Sequence, residues 1–218
     1  WRALRPPPPP DDPLAVEELA MDRARLLLAR YGVVCRDMLA RESTALSWTA
    51  VFRALRRMEL TGEVVSGEFF TGLSGPQFAN PGAVRLLAAG LVGDDPWWIA
   101  GVDPAAVWGF GQDPAALALP RRAAGAYVAF AGPRPVAVIE AGGARLRLAL
   151  APDDPGLPAA LSPLVHLLCR RVAPVPRLTV AAINDVPADK SPYLATLRSL
   201  FEVVGERRGV TLYRSRSL

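Results

Sequence analysis

Residues 47–70, SWTAVFRALRRMELTGEVVSGEFF, decide how the first half of the 218-residue chain is read. Trp48, Val51, Phe52, Leu55 and Met58 recur at i, i+3, i+4, i+7 and i+10, the spacing of one buried helix face. Arg53, Arg56 and Arg57 fall on the opposite face, and Ser47 stands where an N-cap is wanted. Beyond the helix, EVVSGEFF reads as two short strands turning at Ser66-Gly67, with Phe69 and Phe70 in the second. Upstream, Asp12 and Pro13 open a helix through LAVEELAMDRARLLLARYG, closed by Gly32, and CRDMLARE is a second, shorter helix. Three helices followed by a hairpin are the pattern of a winged helix, whose third helix is the one that enters a DNA groove.

The next stretch, TGLSGPQFANPGAVRLLAAG, carries the chain out of the wing: Gly72 and Gly75 allow a turn, and Pro81 with Gly82 starts another helix. Gln77 has two readings, a DNA-contacting or catalytic amide, and an amide that ties the wing to the following helix through backbone hydrogen bonds. From residue 92 the character changes. GAYVAFAGPRPVAVIEAGGARLRLAL gives three alternating runs separated by Gly-Pro-Arg-Pro and Gly-Gly, a meander of antiparallel strands. LPAALSPLVHLLCRRV reads as a helix, RLTVAAINDVP as a strand into a turn, SPYLATLRSLFEVV as a helix capped by Ser191, and RGVTLYRSR as a last strand. The fold class is therefore α+β: residues 1–12 a proline-rich linker ending a preceding domain, 13–91 a winged helix, 92–218 a small, mainly antiparallel β-barrel module with helical lids.

Composition limits the chemistry. With 51% hydrophobic residues the chain has enough apolar material for one or two cores, and no apolar run is long enough to span a bilayer, so the expected location is cytoplasmic without membrane partners. Cys35 and Cys169 are not in a metal-binding spacing and His166 is the single histidine, so no metal site is expected. The net charge of +4 is uneven: Lys plus Arg against Asp plus Glu is 11 to 10 over residues 1–91, 7 to 7 over 92–174 and 7 to 4 over 175–218. Arg207, Arg208 and Arg214 carry that C-terminal excess, and with the 53/56/57 trio they are the candidate phosphate contacts. The alternative for the trio is a solvated helix face. Trp97 and Trp98 are candidates for stacking on unpaired bases, or for packing at a domain junction.

The order RLLLARYGVV, RALRRMELTGEV, SGEFFTGLSGPQFANPGAVRLL resembles the C-terminal region of the large helicase-related (Lhr) family of bacterial superfamily 2 DNA helicases. GDDPWWIAGVDP occupies the place of that family's D-P-L-N-L-x-G stretch with Trp97 and Trp98 in place of Leu and Asn, and INDVPADKSP resembles its I-x-G-x-x-x-x-S-P with Asp185 where Gly is common. The resemblance implies a winged helix plus β-barrel module belonging to a DNA repair helicase, with DNA, single-stranded or branched, as partner, along with the helicase motor domains of the same polypeptide or complex. ATP and Mg are implied only for those motor domains, since no GxxxxGK[ST] loop occurs in this chain and no cofactor is expected within it. The architecture is also similar to AlkZ/YcaQ-type DNA glycosylases, which implies a possible hydrolase acting on uracil or a damaged base. Its candidate catalytic groups are Gln77, Asp95, Asp185 and Asp189, with Asp94 and Asp103 nearby in sequence, although the Q-x-Q pair of that group is missing. A third reading is an oligomerisation or protein-docking module, with a homo-oligomer as its simplest form. The start at Trp1 suggests an excised piece of a longer protein.

Overall fold

The computed structural model describes residues 12–39, 42, 47–90, 93–108, 117–206 and 209–215. The chain divides into two compact units, Trp1–Gly90 and Leu91–Leu218.

In the first unit α1 runs Pro13–Tyr31, and Asp12 caps it by accepting from the amides of Leu14 and Ala15. Gly32, at φ 72°, ends it and sends its N–H back to the Leu28 carbonyl. Strand β1 (Val33–Val34) leads into α2 (Arg36–Leu39), and α3 spans Trp48–Leu60. The periodicity of α3 is realised: Val51, Leu55 and Met58 are buried with Ala54, and they pack on Ala24, Leu27 and Leu28 of α1. Ser47 stands at the N-cap without a side-chain bond.

The wing differs from its sequence reading. Its first strand is β2 (Val65–Gly67), but the second is β3 (Gln77–Ala79), which pairs antiparallel with β2 on one side and β1 on the other. Phe69 and Phe70 belong to the long connecting loop, in which Gly72 and Gly75 take φ of 81° and 85°, the left-handed turns that glycine allows without steric cost. The alternation of EVVSGEFF is strand-like throughout, but only Val65, Ser66 and Gly67 find partners on β3. Helix α4 (Pro81–Ala89) follows, capped by Asn80.

In the second unit the meander is observed as β5 (Tyr127–Ala131), β6 (Arg134–Glu140) and β7 (Arg145–Leu148). β4 (Pro96–Ala100), which contains both tryptophans, has no strand signal in the sequence, and the run RLTVAAINDVP, a strand into a turn by its sequence, ends in the small hairpin of β9 (Ala182–Ile183) with β10 (Val186–Pro187). Together they make a six-stranded sheet of order β10-β9-β7-β6-β5-β4, antiparallel except for β7 beside β9. LPAALSPLVHLLC is two short helices, α5 (Leu157–Ala160) and α6 (Ser162–Cys169), not one. Helix α7 begins only at Leu194 and stops at Leu200, so Ser191 is not its cap, and Phe201–Glu206 is a strand, β11. It pairs with β12 (Gly209–Arg214), which pairs with β8 (Leu178–Val180) to complete a three-stranded sheet.

The two sheets are joined by one continuous run of chain, since β8 passes through Ala181 into β9. There the Ala181 and Ala182 amides both donate to the Ala144 carbonyl, and Ala188 donates back to Ala181. Gly209 packs so close to the Val180 carbonyl that a Cβ would collide with it, which is why the β12 strand opens on glycine. A large apolar core, including Ile139, Leu146, Leu161, Leu164, Ile183, Leu197 and Leu212, lies among the sheets and helices, and a smaller cluster of Leu117, Val128 and Val138 lies apart from it.

Candidate nucleic-acid interface

The outer face of α3 presents Arg53, Arg56 and Arg57 to solvent, as the helical spacing requires. They are not equivalent. Arg57 is held by both oxygens of Glu17 on α1, its Nη2 donating to Oε1 at 2.9 Å. Arg56 pairs with Glu59 one turn on, and Glu59 also accepts from Ser66 Oγ of the first wing strand. Arg53 has neither a hydrogen bond nor an ion pair among the described residues, and it lines a shallow groove between α1 and α3 with Val16, Ala20, Met21 and Ala50. The Arg57 guanidinium holds the Glu17 carboxyl below the ordinary carboxylate range. Arg25, bonded to Glu63 at 2.6 and 3.0 Å and to Asp22 at 3.0 Å, depresses Glu63 in the same way. Among the described residues of this unit Arg25, Arg30, Arg56 and Arg57 are thus met by carboxylates, and Arg53 is the guanidinium of the trio without such a partner there.

Gln77 is buried, 1% exposed, at the start of β3. Its Oε1 accepts from the amides of Phe69 and Phe70 at 3.1 and 2.9 Å, and its Nε2 donates to the Phe70 carbonyl at 2.8 Å. The amide is occupied in closing the wing loop. The tie to the next helix that was expected of Gln77 is made by Asn80, which donates to the Leu28 carbonyl at 3.1 Å and accepts from Ala83 N at 2.7 Å. The signal for Asn80 was the Asn-Pro-Gly order, an N-cap followed by proline at the first helical position.

The carboxylate candidates are dispersed over the second unit. Asp95 precedes β4 and Asp185 sits in the β9–β10 turn, at opposite edges of the six-stranded sheet with four strands between them. Asn184 and Asp185 have φ of 49° and 63°, so both residues of this two-residue turn are left-handed. Asp189 lies exposed on a 3-10 turn at Ala188–Lys190. Asp94 pairs with Arg134 at 2.9 Å, and Asp103 accepts from Ala105 N at 2.8 Å. Among the described residues no group of three or more His, Cys, Asp or Glu is placed to hold a metal ion, and no helix is long and apolar enough to cross a membrane.

The tryptophans separate because neighbours on a strand point to opposite faces. Trp98 is turned into the core, 4.9 Å from the His166 ring and edge-on to Tyr127. Trp97 is turned out, 46% exposed, and stacks on Phe130 with centroids 4.1 Å apart and planes within 5°. Arg214 ends β12 and is exposed; Arg207 and Arg208 lie outside the described residues.

Residues 14–97 match the family described as large helicase-related protein, winged-helix domain. The chain is 28% identical over 197 residues to the Lhr helicase/uracil glycosylase of Escherichia coli (strain K12), covering 86% of this chain and 13% of that protein. It is 32% identical over 197 residues to the Lhr helicase/probable uracil glycosylase of Mycolicibacterium smegmatis, covering 85% and 12% respectively. The chain thus spans about an eighth of the length of either relative.

Proposed function

Because this chain belongs to the large helicase-related family as a C-terminal module, we propose that it binds DNA, single-stranded or branched, on behalf of a repair helicase whose motor lies elsewhere in the polypeptide or complex. The observation that carries the reading is the exposed arginine face of α3 in a winged helix, with Arg53 left free. Arg56 and Arg57 join it by exchanging a carboxylate for a phosphate. Exposed ion pairs are worth only about 0–1 kcal/mol, so that exchange costs little. Phosphate contacts release counterions, and each contributes about 0.7–0.9 to the slope of log K against log salt. Replacing Arg53, Arg56 and Arg57 together by Ala therefore flattens that slope by roughly 2 to 3 if all three touch phosphate, and by a little under ~1 if Arg53 acts alone. An unchanged slope and unchanged affinity would remove α3 from the interface.

A second reading, excision of uracil, is favoured by the names of both relatives. In this chain Gln77 has its amide filled by the wing loop, and Asp95 and Asp185 stand at opposite sheet edges. Asp95, Asp185 and Asp189 are all exposed, and among the described residues none of the three carboxylates has a hydrogen bond or ion pair. If excision occurs, alkali-labile strands form from uracil-containing oligonucleotides, and Asp189→Asn or Asp95→Asn abolishes them. Clean protein that yields no product ends this reading for uracil.

A further inference from the structure

Trp97 is an exposed aromatic on the second unit whose ring is held in one orientation. One face of its indole lies flat on Phe130, at 4.1 Å and 5°. Its single polar atom, Nε1, is spent internally, donating to the Gly132 carbonyl at 2.7 Å. The ring is thus fixed in plane and in rotation, its polar atom is already used, and the residue is 46% exposed on an edge strand. Gly132 begins the β5–β6 turn, and at the far end of that turn Arg134 is exposed and paired with Asp94, so a guanidinium stands on the same short stretch that anchors the indole.

Two occupants of such a surface are distinguishable by size. A stable protein interface needs roughly 800 Å² from each partner, whereas one aromatic side chain offers only about 150–250 Å². An unpaired nucleobase needs a single π face and a nearby cation for its phosphate, because every base can stack whatever its sequence. We propose that Trp97, braced by Phe130, is a stacking platform for an unpaired nucleobase, with Arg134 beside it for the adjoining phosphate. The proposal rests on the DNA-binding reading and extends it from charge on α3 to a second contact specific for single strands. Trp98, one residue on, has no such role, since its half-buried ring packs on Tyr127 and His166 against the core.

The test uses the full chain and a labelled oligothymidylate, with a duplex of equal length as reference. Trp97→Ala is expected to weaken single-strand binding by about 5- to 100-fold while leaving the salt slope as it was, because stacking releases no counterions. Trp97→Phe is expected to stay within a few-fold of the parent, and duplex affinity is expected not to change with either. Irradiation of an oligonucleotide carrying 5-iodouracil is expected to crosslink the peptide containing Trp97, a readout that needs no variant to fold. Single-strand binding that survives Trp97→Ala undiminished, or crosslinks confined to other peptides, overturns the platform and leaves the α3 reading standing. A parent chain that binds neither oligonucleotide overturns both. A drop in molar mass on Trp97→Ala with no change in DNA affinity assigns the surface to a second copy of the chain and overturns the nucleobase.

Discussion

The two units solve the same problem, holding an irregular loop without regular secondary structure, with the same chemical device in different settings. In the winged helix Gln77 reaches across the wing and bonds the backbone of Phe69 and Phe70. In the sheet unit Asn184 accepts from Leu148 N at 2.7 Å and donates to the Leu148 carbonyl at 2.9 Å, clasping the small hairpin onto β7. A primary amide carries one acceptor and one donor group in fixed geometry, so it stands in for a missing strand residue. The units differ in what surrounds the device. The winged helix has a modest core and a surface of paired arginines and carboxylates, and the sheet unit has a larger apolar core and an aromatic outer edge.

Removing core volume is the largest perturbation. Leu55→Ala in α3 and Leu164→Ala in α6, both fully buried, each cost about 2–5 kcal/mol, read by chemical denaturation. Next come the amides. Gln77→Ala strands the Phe69 and Phe70 amides and the Phe70 carbonyl, at about 1–3 kcal/mol, and Asn184→Ala costs a similar amount for Leu148. Hydrogen exchange locates each loss: Gln77→Ala exposes amides of the wing loop, and Asn184→Ala those of β7 and the β9–β10 hairpin. If Gln77→Ala instead leaves stability intact and abolishes DNA processing, the amide is functional and the structural account of it fails.

The surface of the winged helix allows a gentler test. Glu17→Gln frees Arg57 from its carboxylate, and the expected result is DNA binding strengthened by a few-fold at low salt, with a difference that shrinks as salt is added. Acid does the same reversibly. The folded-state pKa values of Glu17 and Glu63 are depressed, so the ion pairs contribute stability above the unfolded carboxylate range, and that contribution is lost as pH falls through the folded values. Thermal melts of the parent are therefore expected to fall on the acidic side more steeply than those of a Glu17→Gln, Glu63→Gln variant.

How much of this was legible follows from which forces were local. Helix α3 and the meander were readable because their periodicity is set by one buried face and punctuated by Gly and Pro. The wing was misplaced by about ten residues because EVVSGEFF alternates well beyond the stretch that is paired, and the true second strand, QFA, is short and wholly buried, with nothing in its own pattern to show it. FEVV, the first four residues of β11, reads as a continuation of α7 because no helix breaker precedes it. Only the six-residue ladder to β12 converts it to a strand. Of the candidate site, the spacing of the arginines fixed their exposure and sets Glu59 one turn from Arg56, but not the carboxylate that occupies Arg57, since Glu17 is 40 residues away from it. The divergence of Trp97 and Trp98 needed only the recognition that PWWIA is a strand, which its lone cue, two adjacent aromatics after a proline, does not give.

The smallest expected effect is the sharpest on Asp185. Its φ of 63° beside 49° at Asn184 marks a two-residue hairpin turn of the kind that takes Asn, Asp or Gly. Asp185→Gly removes a carboxylate, and its two effects on stability oppose one another: the positive-φ backbone is relaxed in the folded chain, while glycine adds conformational freedom to the unfolded one. The net change is expected to be within about 0.5 kcal/mol. Asp185→Val, whose β-branched side chain resists positive φ, is expected to cost roughly 1–3 kcal/mol. If the position is conformational, DNA affinity and any base excision are the same in the glycine variant as in the parent, and the valine variant loses them only in proportion to its unfolding. Loss of activity in the folded glycine variant would show instead that the carboxylate itself is used, and would move the candidate site of the second unit from its β4 edge to its β10 edge.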